Sequence, residues 1–170
     1  MFKKEAVHER KEFNKELYEK IFAITRKPKK ILDLGCGLHP IHFPFNDINY
    51  LAADIDQEAL KKVKKHFKKN NLKGKVLFLD LNNAEELKNL EEVDITFIFK
   101  VLDSFKRQTI KIILQNTNTK YFIISFPTRT ISGARTTNPK RVWFEKLVKN
   151  YEKIRYFNEI FYVIKRNLIK

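Results

Sequence analysis

The stretch from Lys30 to Asp56 leaves this chain few ways to fold. It reads Lys30-Ile-Leu-Asp-Leu-Gly-Cys-Gly-Leu-His-Pro40, then a short gap, then Tyr50-Leu-Ala-Ala-Asp-Ile-Asp56. Each half is a brief apolar run. The first closes on glycines and the second on carboxylates. Short apolar runs closed by turn residues are the pattern of parallel strands buried on both faces. Two in succession, each ending in ligand-binding chemistry, place a nucleotide-type site at the carboxyl edge of an open α/β sheet.

The residue types narrow the ligand. Gly35 and Gly37 lack a Cβ, so the backbone can turn sharply and a ligand can approach it closely. Asp54 lies about 20 residues past the turn, where a carboxylate can take the two hydroxyls of a ribose. A dinucleotide site would add a third glycine opening a long helix, to seat a pyrophosphate. Here the turn runs Gly35-Cys36-Gly37-Leu38-His39-Pro40, without one. S-adenosylmethionine (SAM) has a ribose and no pyrophosphate. Asp33 would repel phosphates but suits the ammonium of a methionine moiety. Gly-x-Gly alone is equally an ordinary strand and turn; Asp33 and the spaced Asp54 favour SAM.

A chain of 170 residues, 43% hydrophobic and 32% charged, suits one domain with a real core. The net charge of +15 is the extreme feature. It favours a polyanionic partner, nucleic acid or an anionic membrane surface, with a solvated lysine-rich surface as the plain alternative. A single cysteine excludes an internal disulfide. Neither a signal-peptide core near Met1 nor an apolar run long enough for a bilayer is present, so a cytoplasmic protein without a membrane partner is expected.

Phe13, Leu17, Ile21 and Ile24 form one stripe, predicting a helix over His8 to Ile24 that packs residues 1–28 on the core. Strands are expected at Lys30–Leu34, Tyr50–Ala53, Lys75–Leu79, Val93–Phe99 and Tyr121–Phe126, with a loop over Leu38–Asn49. Helices are expected at Glu58–Lys69, Ala84–Leu90, Phe105–Asn116 and Pro139–Asn150. Asp103 and Ser104 would cap the third, and Pro139 would open the fourth. Lys153–Tyr156 and Ile160–Ile164 read as a hairpin around Asn158. Residues 1–170 then form one α/β domain, a doubly wound, seven-stranded, mostly parallel sheet with a C-terminal antiparallel hairpin. That ending is usual for the class I, Rossmann-like fold of SAM-dependent methyltransferases. Asp80, after the third strand, would lie by the adenine amino group.

The chain resembles the aminoglycoside-resistance family of 16S ribosomal RNA methyltransferases, which modify a guanine N7 in the decoding site. The likeness runs from about His8 to the C-terminus. Its most specific piece is Ser125-Phe-Pro-Thr-Arg-Thr130, with Gly133 and Trp143-Phe144-Glu145 downstream. Ile31 to Pro40 is similar to the family's cofactor loop, where Asn is usual in place of His39. Asp54-Ile55-Asp56 matches its second acidic motif. Phe97 to Leu102 and Lys106-Arg107-Gln108 are similar to its strand-four motif, where Gln usually stands at Arg107. His8-Glu9-Arg10 resembles the Glu-Arg before the first core helix. The resemblance implies that Arg10 holds the SAM carboxylate, Asp54 the ribose, and Asp80 with Leu81 the adenine. Ile55 and Lys100 complete the implied cofactor set, and small-subunit RNA is the implied partner. The family also carries a helical N-terminal domain, which this chain is expected to lack. The family's Gly-Arg and Gly-Met signature becomes Gly133-Ala-Arg-Thr-Thr-Asn138.

No convincing catalytic base or metal-ligand spacing stands out. Guanine N7 has a free lone pair and no proton to lose, so its methylation needs in-line positioning and little else. Exocyclic-amine methyltransferases often carry Asn/Asp-Pro-Pro-aromatic after strand four; here Lys100-Val-Leu-Asp103 stands there. Cys36 lies inside the cofactor turn as a small packing residue. Phe126, Pro127, Thr128 and Arg129 are the substrate-positioning candidates. Phe126 could stack on a base and Arg129 hold a phosphate, against core packing and a plain surface charge. Lys61 to Lys69, Arg135, Lys140 and Arg141 are further RNA-contact candidates. An RNA-binding protein without turnover, and a methyltransferase of small molecules or proteins, are the alternatives.

Overall fold

A computed structural model describes residues 15–128 and 141–169. Seven strands form one sheet: β1 (Lys30–Leu34), β2 (Asn49–Asp54), β3 (Gly74–Phe78), β4 (Val93–Phe99), β5 (Thr119–Pro127), β6 (Glu152–Tyr156) and β7 (Glu159–Lys165). Their order is β3-β2-β1-β4-β5-β7-β6. The first five are parallel, and β7 runs antiparallel to both β5 and β6. This is the class I methyltransferase fold anticipated above. The chain winds outward from β1 to β3, returns to β4 beside β1, and winds the other way. Ligand crevices of open α/β sheets form at such a reversal, here between the carboxyl ends of β1 and β4.

Alternation along the strands feeds two cores. Leu32, Leu34, Ile98, Phe122, Ile124 and Phe126 face one side and meet Ile110, Ile113 and Leu114 of α3 (Arg107–Asn116). Ile31, Ile95, Phe97, Phe99, Ile123 and Phe161 face the other. There they meet Leu17, Tyr18 and Ile21 of α1 (Lys15–Thr25), and Leu60, Val63 and Phe67 of α2 (Gln57–Lys69). The Asp56 side chain caps α2 by accepting from the Glu58 and Ala59 amides, so the acidic end of β2 also starts the next helix. Among the described residues, no helix is long and apolar enough to cross a membrane.

Four local expectations need correction. Residues Leu81–Asn89 form a 3₁₀ segment rather than an α-helix at Ala84–Leu90, broken at Asn83 (φ −97°, ψ 51°). Adjacent asparagines compete with the backbone for its own hydrogen bonds, which favours turns over helix. The helix expected to reach Asn150 is, in its described part, only α4 (Val142–Glu145). It stops because Val148 pairs antiparallel with Ile169 instead of continuing the helix. Asp103 and Ser104 belong to a 3₁₀ turn, and α3 follows Lys106 without a side-chain cap. The part of the first helix before Lys15 lies outside the described residues, and Ile24 is 39% exposed rather than inward.

Candidate active site

The glycine turn is tied to β2 by backbone. The Gly35 and Cys36 amides both donate to the Ala53 carbonyl, at 2.8 and 3.1 Å. Gly35 and Gly37 have φ of +67° and +50°, the left-handed region that favours glycine. A Cβ on Gly35 would also stand 2.6 Å from Cγ2 of Val101, so the close approach of the segment after β4 requires glycine. The Gly37 amide donates to Asp54 Oδ2 at 2.7 Å, and the Asp56 amide to Oδ1 at 2.8 Å. Asp54 thus braces the turn and helix start, and a carboxylate has lone pairs left for hydroxyl donors.

Beneath the turn lies a buried polar cluster. Asp33 is 1% exposed, and its Oδ2 meets His39 Nδ1 at 2.7 Å and accepts from the Tyr50 hydroxyl at 2.8 Å. The other ring nitrogen of His39 meets the Tyr18 hydroxyl of α1 at 2.5 Å. Burial, and then the negative charge of Asp33, push the Tyr50 phenol well above its usual range, so it stays a donor. Phe43, Phe97 and Phe99 ring the imidazole. His39 therefore locks α1, β1, β2 and the turn together, a role that its place in a proline-containing loop did not reveal. The one available signal was the departure from Asn.

The other half of the edge is made by β4, β5 and the hairpin. Lys100 follows β4 with φ +58°, and its amide donates to the Ser125 carbonyl. Its ammonium pairs with Glu159 Oε1 at 2.8 Å, with side-chain exposures of 18% and 4%. Glu159 opens β7 opposite Pro127, the last residue of β5. The Thr128 amide donates to the Asn158 carbonyl at 2.7 Å, which seats the hairpin turn at the carboxyl edge.

A family described as "Ribosomal RNA methyltransferase (FmrO)" matches residues 1–154. The chain belongs to this family. It is 29% identical over 167 residues to a 16S rRNA (guanine(1405)-N(7))-methyltransferase of Proteus mirabilis, covering 89% of this chain and 58% of that protein. It is 23% identical over 175 residues to the protein of the same name from Frankia casuarinae, covering 95% and 61%. The chain thus spans about three fifths of the length of these relatives. Among solved structures, the 16S rRNA methylase RmtB superposes with TM-score 0.72 at 26% identity, covering 88% of this chain and 60% of that one. The 16S rRNA methyltransferase RmtF, solved with S-adenosyl-L-homocysteine, superposes at 0.74 with 21% identity, covering 89% and 61%, a likeness of fold.

The structure brings most of the expected cofactor residues to one edge. Asp33, Gly35, Cys36, Gly37, Asp54, Ile55 and Lys100 stand at the ends of β1, β2 and β4, and Asp80 and Leu81 follow β3. Ile55 is 56% exposed, while Leu81 is buried. Asp80 spends Oδ1 on the Asn82 amide and side chain, starting the 3₁₀ segment. Arg10, Arg129, Arg135 and Lys140 lie outside the described residues. The stacking reading of Phe126 needs correction. It is 1% exposed, with its ring among Trp143, Phe144 and Tyr162, because its parity on β5 turns it into the α3 core. Arg141 also differs from a free RNA contact. It pairs with Asp103 at 2.9 Å and lies 4.8 Å from the Phe126 ring centre. Pro127 and Thr128 do stand at the edge, half-buried.

Proposed function

We propose that this chain is a SAM-dependent methyltransferase acting on RNA, with guanine N7 of the 16S ribosomal RNA as its target. The observation that carries the reading is the Asp54 carboxylate braced on the Gly37 amide at the β1/β4 reversal, in a chain of this family. Asp54 would hold ribose hydroxyls, and Asp80 the adenine amino group between the apolar side chains of Ile55 and Leu81. Asp33 is committed to His39 and Tyr50, so its first part is to hold the turn; an ammonium contact would add to that. Bound SAM supplies a methyl carbon made electrophilic by its sulfonium.

The protein's share of the chemistry is then position and exclusion of water. Guanine N7 attacks with its own lone pair, so no side chain has to remove a proton. That agrees with an edge whose described carboxylates are already engaged by amides, Lys100 or the His39 cluster. The +15 net charge supports a polyanionic substrate. The exposed Lys61, Lys62, Lys64, Lys65, Lys68 and Lys69 of α2 would contribute to holding phosphates. The cytoplasm is the compartment that fits a ribosomal substrate.

Isothermal titration tests the cofactor site. Wild-type protein should bind SAM, and Asp54→Ala should weaken binding at least about tenfold, roughly 1.4 kcal/mol. Undiminished binding in the variant, or none in the wild type, would remove the cofactor assignment.

A further inference from the structure

The β6–β7 hairpin turn carries two features that the cofactor site leaves unexplained. Phe157 is 65% exposed and has φ +46°. It is the first central residue between the paired Tyr156 and Glu159, where tight hairpins favour glycine. A bulky side chain in this backbone region is an outlier, and burial does not compensate it here. Its ring makes an edge contact with Tyr156, centroids 4.7 Å apart, and its remaining surface faces solvent. The second feature is Glu159. It is 3% exposed, Lys100 engages Oε1, and among the described residues Oε2 has no hydrogen-bond partner. Buried acceptors are rarely left so, because an unmet one is costly.

Both features sit at the carboxyl edge of the sheet, the edge that carries the glycine turn. The registers put Glu159 beside Pro127, and Lys100 one residue beyond the Phe99–Ser125 pair. Lys100 and Phe157 are two of only four non-glycine residues with left-handed backbone among the described residues, and they flank the end of β5. Lys100 also follows the carboxyl end of β4, which with that of β1 makes the cofactor crevice. The hairpin turn is therefore joined to that crevice through one ion pair.

We propose that this turn receives the target base of the RNA, with Phe157 stacking on its face and the Glu159 carboxylate turning out of its buried position, as the base docks, to accept from N–H groups on its edge. The inference rests on the RNA-methyltransferase reading above and names the residues that would hold its substrate. Exposed aromatic rings take unstacked RNA bases, and carboxylates accept from base donors. Guanine presents N1–H and N2–H side by side on the edge away from N7. A carboxylate held there leaves N7 free for the methyl donor. Adenine presents an acceptor at N1, which Oε2 would repel.

Single-turnover methylation of small ribosomal subunits by the full chain, at saturating enzyme and labelled SAM, tests this. Phe157→Gly suits the left-handed backbone, so its thermal midpoint and SAM affinity should match or exceed wild type. Its methylation rate should fall about tenfold or more, the scale of one lost base stack. Phe157→Tyr should restore the rate, which a purely structural role would not require. Glu159→Gln should slow transfer by a similar factor, since its amide turns an N–H₂ toward base donors; Phe157→Gly carries the test if that variant does not fold. A wild-type rate in folded Phe157→Gly or Glu159→Gln, or failure of tyrosine to restore it, overturns the proposal and leaves the enzyme reading standing. No transfer to any RNA by the wild type overturns both.

Discussion

The two halves of the carboxyl edge are built in opposite ways. On the β1–β2 side, polar groups find partners within the protein. Asp33, His39, Tyr18 and Tyr50 close on one another, and Asp54 takes two amides. On the β4–β5–hairpin side, Ser125 Oγ and Glu159 Oε2 are buried without partners among the described residues, and Phe157 projects into water. A site that must recognise the same small molecule each time can be set before binding. On the proposed reading, the second side keeps its acceptors and rings for one nucleotide of a large RNA. Changes that unseat the turn on the first side should therefore cost stability and cofactor binding together, and a change at Phe157 on the second should cost methyl transfer alone.

The largest effect should come from Asp33→Ala. It strands the buried Tyr50 hydroxyl and His39, and should cost about 2–5 kcal/mol in urea unfolding. A loss under about 1 kcal/mol would mean that the cluster does not hold the turn. Gly35→Ala comes next, at about 2–4 kcal/mol, from left-handed strain plus the Val101 clash. SAM binding should fall with it. His39→Asn, which installs the family's usual residue, should cost about 1 kcal/mol through the lost Tyr18 contact while keeping SAM affinity.

Outside the cofactor half, the expected effects are smaller. Lys64, Lys65 and Lys68 are exposed on α2. Replacing all three with Ala should flatten the slope of log affinity against log salt for RNA by up to about three. Stability should move within about 0.5 kcal/mol. An unchanged slope would make that face a solvated one. The smallest effect concerns Glu145, which links α4 to the hairpin by accepting from Lys153 and Tyr162. Its hydrogen bond with Lys153 outweighs burial and holds its carboxyl below the usual range. A lowered native value means stability present at neutral pH and lost as pH falls through the unfolded carboxyl range, near about 4.3, and below it. Glu145→Gln should flatten that acid limb by less than about 1 kcal/mol.

What the chain's order conveyed follows the same division. Parallel strands buried on both faces announce themselves as apolar runs, so β1, β2, β4 and β5 were legible to within about two residues. The glycine turn and its meeting with Asp54 were legible because they lie at the ends of two strands that follow one another in the chain and pair in the sheet. Phe126 was misread because a strand's parity, which face each residue takes, depends on what packs behind it. Glu159 and Lys100 are 59 residues apart, and only the return of β7 beside β5 joins them. Arg141 reaches Asp103 across 38 residues in the same manner. His39 looked like a loop residue because its partners, Tyr18 and Tyr50, come from different elements.

The most direct test of the whole account is a single labelling experiment. Small subunits, large subunits and transfer RNA are incubated separately with the protein and methyl-labelled SAM, and the labelled nucleotide is mapped. The account predicts label in small-subunit RNA alone, at a guanine, on N7. Label confined to another RNA, to another base atom, or to protein would contradict it, as would no label at all from a protein that binds SAM.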